Sequence, residues 1–189
     1  MRKLSFIAAL CLIFSCAIYA TFVLADENKG LGLVKAAQNR DVKLTQTLLN
    51  QGADVNAKGD TGMTALMYAA MYGQFEMAKL LIDRGADIEY KDEHGMTPLL
   101  AACMMGHVDV VKILLEKGVN LDGRSGIGTT PLMSAALYNK IGVVKLLLDQ
   151  GADINAVNSE GMTPLKMAAK SSTGNPELVR YLKEHGAKE

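Results

Sequence analysis

Cysteine, histidine and charge of either sign in excess are what this chain has little of, and each shortage closes a class of chemistry. There are three cysteines in 189 residues. Cys11 and Cys16 fall in the apolar opening of the chain, so only Cys103 remains beyond it and no internal disulfide can form there. Cys103 sits among small residues at an inner-helix position, so it reads as a packing thiol rather than a reactive or metal-binding one. The three histidines, His94, His107 and His185, lie far apart, on an expected turn tip, an expected helix start and an expected cap. No serine or cysteine sits in a nucleophile elbow, no paired-cysteine metal spacing occurs, and the glycines are explained by turns rather than by phosphate binding. An enzyme is therefore not expected, nor a cofactor. Lysine plus arginine and aspartate plus glutamate number 20 each; without Arg2 and Lys3 the balance is 18 against 20, about −2, which gives no electrostatic case for nucleic acid.

What is present is a clock. Gly62, Gly95, Gly128 and Gly161 are each 33 residues apart, and Gly52, Gly85, Gly118 and Gly151 keep the same interval. So do Thr64, Thr97, Thr130 and Thr163; Leu66, Leu99, Leu132 and Leu165; and Ala69, Ala102, Ala135 and Ala168. A fixed period of that length is the signature of a stacked repeat array.

Each column has a physical task, read here from the third unit. Thr97 can cap a helix with its hydroxyl, Pro98 suits the first helical position, where an amide hydrogen would go unpaired, and Leu99 begins the apolar stripe. Ala101, Ala102 and Cys103 are small enough to admit a neighbouring helix, and Gly106 supplies the left-handed residue that ends this short helix. A second helix follows, with Val108, Val111, Ile113, Leu114 and Leu115 on its buried face and Asp109, Lys112, Glu116 and Lys117 toward water. Gly118 closes it, and an extended turn runs to Gly128.

Gly62-Met63-Thr64-Ala65-Leu66, Gly95-Met96-Thr97-Pro98-Leu99, Gly128-Thr129-Thr130-Pro131-Leu132 and Gly161-Met162-Thr163-Pro164-Leu165 resemble the G-x-T-P-L opening of the ankyrin repeat. Gly52-Ala53-Asp54-Val55-Asn56, Gly85-Ala86-Asp87-Ile88-Glu89 and Gly151-Ala152-Asp153-Ile154-Asn155 resemble its closing. The resemblance covers about residues 30 to 189 and implies an all-α solenoid of helix-turn-helix units joined by extended β-turn loops. The family usually places histidine after T-P-L, where it links successive turns; this chain has Met67, Leu100, Met133 and Lys166. One solenoid domain is expected over 26–189, with an N-terminal cap at 30–58, units at 59–91, 92–124 and 125–157, and a C-terminal cap at 158–189. The interval from Gly151 to Gly186 is two residues longer than the period, and Ser171 to Pro176 forms a longer turn from which Asn175 and Pro176 start the final helix.

The opening of the chain obeys other rules. Arg2 and Lys3 precede an uncharged apolar run from Leu4 to Leu24, and Val23-Leu24-Ala25 places short residues where signal peptidase needs them, so residues 1–25 are expected to be a signal peptide. The run is also long enough to span a bilayer uncleaved, and Ile13-Phe14-Ser15-Cys16 distantly resembles a lipoprotein box. Each alternative carries the repeats out of the cytoplasm, to a periplasmic or secreted location, with no membrane association of the mature form after cleavage.

Mapped onto the ankyrin pattern, the turn tips and inner helices line one concave face. The resemblance assigns to it Met63, Met96, Ile127 and Met162 at the turns, and Met71, Tyr72, Met104, Met105, Leu137 and Tyr138 on the inner helices, rimmed by Asp60, Lys91, Glu93, Arg124 and Glu160. A greasy strip with a charged rim is what a protein-partner site looks like, although the same methionines could merely pack adjacent repeats. The resemblance implies a non-enzymatic protein-binding module, and similarity to exported bacterial proteins linked to peroxide defence makes a redox enzyme such as a catalase a candidate client. The rival reading is Cu(I) or other soft-metal handling by clustered thioethers. Cleavage after Ala25 is expected to leave Asp26 as the mature N-terminus; N-terminal sequencing of exported material checks this, and an intact Met1 in the membrane fraction would refute it.

Overall fold

The computed structural model describes residues 28–171 and 175–188; the expected signal segment, residues 1–25, lies outside the described residues, as do Ser172, Thr173 and Gly174 of the long turn. Ten helices in five antiparallel pairs make up the described chain, with no strand and one isolated β-bridge, Lys58 to Thr64. The inner layer holds α1 (28–38), α3 (Ala65–Met71), α5 (Pro98–Met105), α7 (Pro131–Leu137) and α9 (Pro164–Lys170). The outer layer holds α2 (Val42–Asn50), α4 (Phe75–Asp83), α6 (Val108–Glu116), α8 (Ile141–Asp149) and α10 (Pro176–Glu184). The first unit is helical from residue 28, two residues before the expected start.

The column residues do what their chemistry predicts. Thr64, Thr97, Thr130 and Thr163 are extended N-caps whose hydroxyls accept from the amides of Met67, Leu100, Met133 and Lys166 at 3.1–3.3 Å. Proline occupies the start of α5, α7, α9 and α10. Gly106 ends α5 at φ 87°. The equivalent place in the neighbouring units is taken by Gly73, by Asn139 at φ 55° and by Arg40 at φ 61°. Both non-glycine residues put their side chains to use: the Arg40 guanidinium lies 4.9 Å over the Tyr72 ring, and Asn139 Oδ1 accepts from Asn175 Nδ2 at 2.8 Å.

Packing sets the curvature. Alanines 69, 70, 101, 102, 135 and 136 are fully buried on the inner helices, and the inner layer makes much closer contacts between units than the outer layer does. Small side chains let inner axes approach, while the leucines and valines of the outer helices hold theirs apart. The stack therefore curves with the inner helices on its concave side. The core is one continuous cluster that includes Leu66, Leu99, Leu132 and Leu165 of the inner layer and Met77, Val110, Val143 and Leu178 of the outer layer. Val110 joins the buried face of α6 beside Val111, Ile113 and Leu114, while Val108 and Leu115 are half-buried at its margins.

Where the family pattern has histidine after T-P-L, Met67, Leu100 and Met133 are buried as packing residues and Lys166 is exposed. Polar links between units come from other columns. Gln74 Nε2 donates to the Ala37 carbonyl and His107 Nε2–H to the Met71 carbonyl, each at 3.0 Å, so the start of one outer helix caps the inner helix of the unit before it. On the opposite edge Asn56, Asp122 and Asn155 accept from the backbone amides of Asp87, Asp153 and Lys188 at 2.7, 3.3 and 2.8 Å, and Glu89 accepts likewise from Asn120. At the last unit Arg180, Lys183 and Glu184 face water, and His185 Nδ1–H donates to the Tyr181 carbonyl at 2.8 Å.

Leu99 and Leu132, each 1% exposed, fill the space between helix pairs. Leu99→Ala or Leu132→Ala is expected to cost about 2–5 kcal/mol, the transfer loss plus the cavity left behind. Urea unfolding measures it, and a neutral result at both positions would mean that the register is wrong.

Candidate interaction groove

Between helix pairs the chain forms a finger. Each is closed by two backbone bonds: one from the amide of Gly59, Asp92, Ser125 or Asn158 to the carbonyl of Met63, Met96, Thr129 or Met162, and one back to the first residue's carbonyl from the amide of Gly62, Gly95, Gly128 or Gly161, all at 2.9–3.1 Å. Asp92 Oδ1 accepts from the amides of His94 and Met96 at 2.9 and 2.8 Å, and Asn158 Oδ1 accepts from Glu160 and Met162 at 3.0 and 2.9 Å. Adjacent fingers are then bound to each other: the Gly126 amide donates to the His94 carbonyl at 3.0 Å, and the Ser159 amide and hydroxyl both donate to the Ile127 carbonyl. The approach is so close that a Cβ on Gly95, which also has φ +73°, would sit 2.4 Å from the Gly126 nitrogen.

The cations near the fingers are tied into this structure. Lys91 Nζ donates to the Arg124 carbonyl at 3.3 Å, Arg124 Nη1 donates to the Val157 carbonyl at 2.9 Å, and Lys58 Nζ lies 4.9 Å from the centre of the Tyr90 ring. The Tyr90 hydroxyl donates to the Gly62 carbonyl at 2.9 Å. The fingers are thus a hydrogen-bonded wall beside the inner helices.

Between that wall and α5, α7 and α9 lies an open groove of about 650 Å³. It brings together five of the residues assigned from sequence, Met96, Met104, Ile127, Leu137 and Tyr138. Ile127 and Tyr138 are the boldest of them, 53% and 50% exposed, whereas Met96, Met104 and Leu137 are half-buried. Glu93 and Glu160 of the expected rim line it, joined by His94 and Lys170; Asp60, Lys91 and Arg124 do not. Leu100, Ser134 and Met167 also contribute to the lining. The signal for Leu100 was the absence of histidine after T-P-L, but a buried residue that shows one side to a groove leaves no other mark in the sequence.

The remaining five assigned residues lie elsewhere. Met63, Met71 and Tyr72 belong to the preceding unit, are half-buried and pack against the core. Tyr72 also faces Tyr68, with ring centres 6.1 Å apart, beneath the Arg40 guanidinium. Met162 is half-buried on the fourth finger, and Met105 stands 43% exposed at the end of α5, outside the groove lining. A second hollow of about 530 Å³ lies on the end of the stack between α9 and α10, bordered by Ala169, Val179, Arg180 and Lys183. It is the solvated face of the final unit and contains none of the assigned residues.

Burial pushes the Cys103 thiol well above its usual range, which removes thiolate at neutral pH. Among the described residues no group of three or more histidine, cysteine, aspartate or glutamate side chains is placed to hold a metal ion.

The two kinds of assigned residue separate in a stability measurement. Met105→Ser and Tyr138→Ser are expected to shift unfolding by within about 0.5 kcal/mol, as exposed positions do, whereas Tyr72→Ser loses ring packing and is expected to cost about 1–3 kcal/mol. Thermal or urea unfolding of the single variants checks the ranking; equal losses at Tyr72 and Tyr138 would place both in the core.

Comparison with known proteins agrees with the geometry. A stretch of 61 residues is 41% identical to the human mitochondrial disaggregase, spanning 30% of this chain and 9% of that protein's length. The family model described as ankyrin repeats (3 copies) matches residues 33–125 and 120–189, most of the chain. With its 33-residue columns and stacked helix pairs, the chain belongs to the ankyrin repeat family, whose repeats serve as protein–protein interaction modules.

Proposed function

We propose that this protein is a non-enzymatic binding module that acts outside the cytoplasm and holds a segment of a protein partner in the groove between its fingers and inner helices. The observation that carries the reading is the pairing of Ile127 and Tyr138. Both are large side chains about half exposed, Ile127 on the finger wall, whose backbone is bonded unit to unit, and Tyr138 across from it at the end of α7. A preformed apolar surface of this kind binds without first being ordered, and a few anchors dominate such interfaces.

Export is supported by the apolar run from Leu4 to Leu24 and the short residues before Asp26. Among the described residues no helix is long and apolar enough to cross a membrane. A redox or peroxide-defence enzyme as the client rests on the resemblance to exported bacterial repeat proteins and on nothing in the groove itself.

Capture from the exported fraction tests the reading. The Ile127→Ser/Tyr138→Ser variant is expected to stay folded and to lose at least about 10-fold in partner affinity, since interface anchors of this size commonly contribute 1–2 kcal/mol or more. Lys79→Ser/Lys112→Ser, two exposed positions on the outer helices, is expected to bind as the parent does. Retention of the partner by the folded groove variant would move the binding surface elsewhere. Met96 and Met104 line the same groove, so a Cu(I) titration belongs to the same series; tight binding abolished by changing both to leucine would favour soft-metal handling instead.

A further inference from the structure

We infer that the segment held in the groove is a basic one: an apolar anchor flanked by lysine or arginine that reaches the finger tips. This rests on the groove being the contact surface, and it goes further by naming the chemistry of what fits there.

The argument is which charges near the fingers are already engaged. The cations Lys58, Lys91 and Arg124 are each committed to a ring or a carbonyl. Most carboxylates there are committed too: those of Asp54, Asp87 and Asp153 each accept the amide two residues on, Asp92 accepts within its own finger, and Glu89 and Asp122 link units. Among the described residues the carboxylates of Glu93 and Glu160 accept no hydrogen bond and meet no cation, and both are exposed on the groove wall. What the fingers offer a partner is therefore free negative charge above an apolar floor.

Lys170, at the last turn of α9, lines the groove as well, so the field is not uniform. Negative charge stands at the finger tips and positive charge at the helix side, with Ile127, Leu137 and Tyr138 also in the lining. A segment with its cation toward the tips satisfies Glu93 or Glu160 as they lose water beneath it. A neutral or acidic segment covers the same floor but leaves those carboxylates desolvated and unpartnered, or repels them. Charge complementarity of this sort raises specificity and association rate more than total affinity, and it weakens with salt.

The test uses the exported protein, isotopically labelled, and two synthetic peptides that alternate leucine with lysine or leucine with glutamate. The lysine peptide is expected to shift the amide resonances of Ile127, Leu137 and Tyr138, to bind more tightly than the glutamate peptide, and to weaken as salt is raised. In Glu93→Gln/Glu160→Gln its affinity is expected to fall about 3- to 10-fold, the range for two exposed ion pairs, with the thermal unfolding curve unchanged. Equal or tighter binding of the glutamate peptide at the same amides overturns the basic preference while leaving the groove in place. Lysine-peptide binding that survives Ile127→Ser/Tyr138→Ser, with shifts outside the groove, overturns the groove reading itself. Binding by neither peptide overturns the inference of a basic segment.

Discussion

Neither Leu99 nor Leu132 is enclosed by its own helix pair alone. Leu99 is buried because α3 and α7 lie on either side of α5, and Leu132 because α5 and α9 lie on either side of α7. Stability is therefore a property of neighbouring units taken together, and everything else about the molecule has to respect the spacing that makes the neighbours fit. The two ends show the same rule from outside. Leu44 occupies the position at which Met77, Val110, Val143 and Leu178 are buried, yet it is 44% exposed because no described unit precedes it. At the other end Lys166 stands where Met133 is buried, and the chemistry of the position has changed to suit water.

Polar groups are arranged around that file of leucines so that no unit is satisfied alone. The threonine caps close α3, α5, α7 and α9 within their own units, but the carbonyls at the far ends of α1 and α3 are met by Gln74 and His107 of the unit that follows. Backbone strain is shared in the same way. Arg40 and Asn139 adopt a left-handed conformation that costs an ordinary residue about 1–2 kcal/mol, and each touches the next unit with its side chain, Arg40 on Tyr72 and Asn139 on Asn175. Glycine at either place would relieve the strain and lose the contact.

Much of the fold was legible because several tasks admit few residue types. A buried N-cap beside a first-turn proline calls for threonine or serine, and the repeated Gly-Met-Thr-Pro-Leu string announced both helices and their spacing. The links between units were not legible, since an amide at Gln74 and an imidazole at His107 perform the same task and so leave no repeated letter. Arg40 and Asn139 hid their turns for the same reason, by breaking a glycine column without breaking its geometry. In the groove, five of the ten residues assigned from sequence come together, and nothing in the sequence marked how deeply each side chain sits. Met96 and Ile127 are both finger residues, yet Met96 leans on the core and Ile127 stands out, a difference set by neighbours rather than by either residue's hydrophobicity.

The same contrast shows where recognition can reside in a repeat of this kind. Two columns that build the stack do not vary from the second unit to the last: the threonine caps Thr64, Thr97, Thr130 and Thr163, and the leucines Leu66, Leu99, Leu132 and Leu165. Columns that line the groove do vary, from His94 through Ile127 to Glu160 along the finger tips, and from Met104 through Leu137 to Lys170 along the inner helices. The backbone holds each member of such a column in the same place, so the fold does not dictate which side chain it must be. Identity at those positions is free to answer to something outside the fold, and the result is a surface that is apolar in its middle, negative along one wall and positive at one end. A partner reads that order only because the invariant columns beneath it keep the spacing constant from one unit to the next.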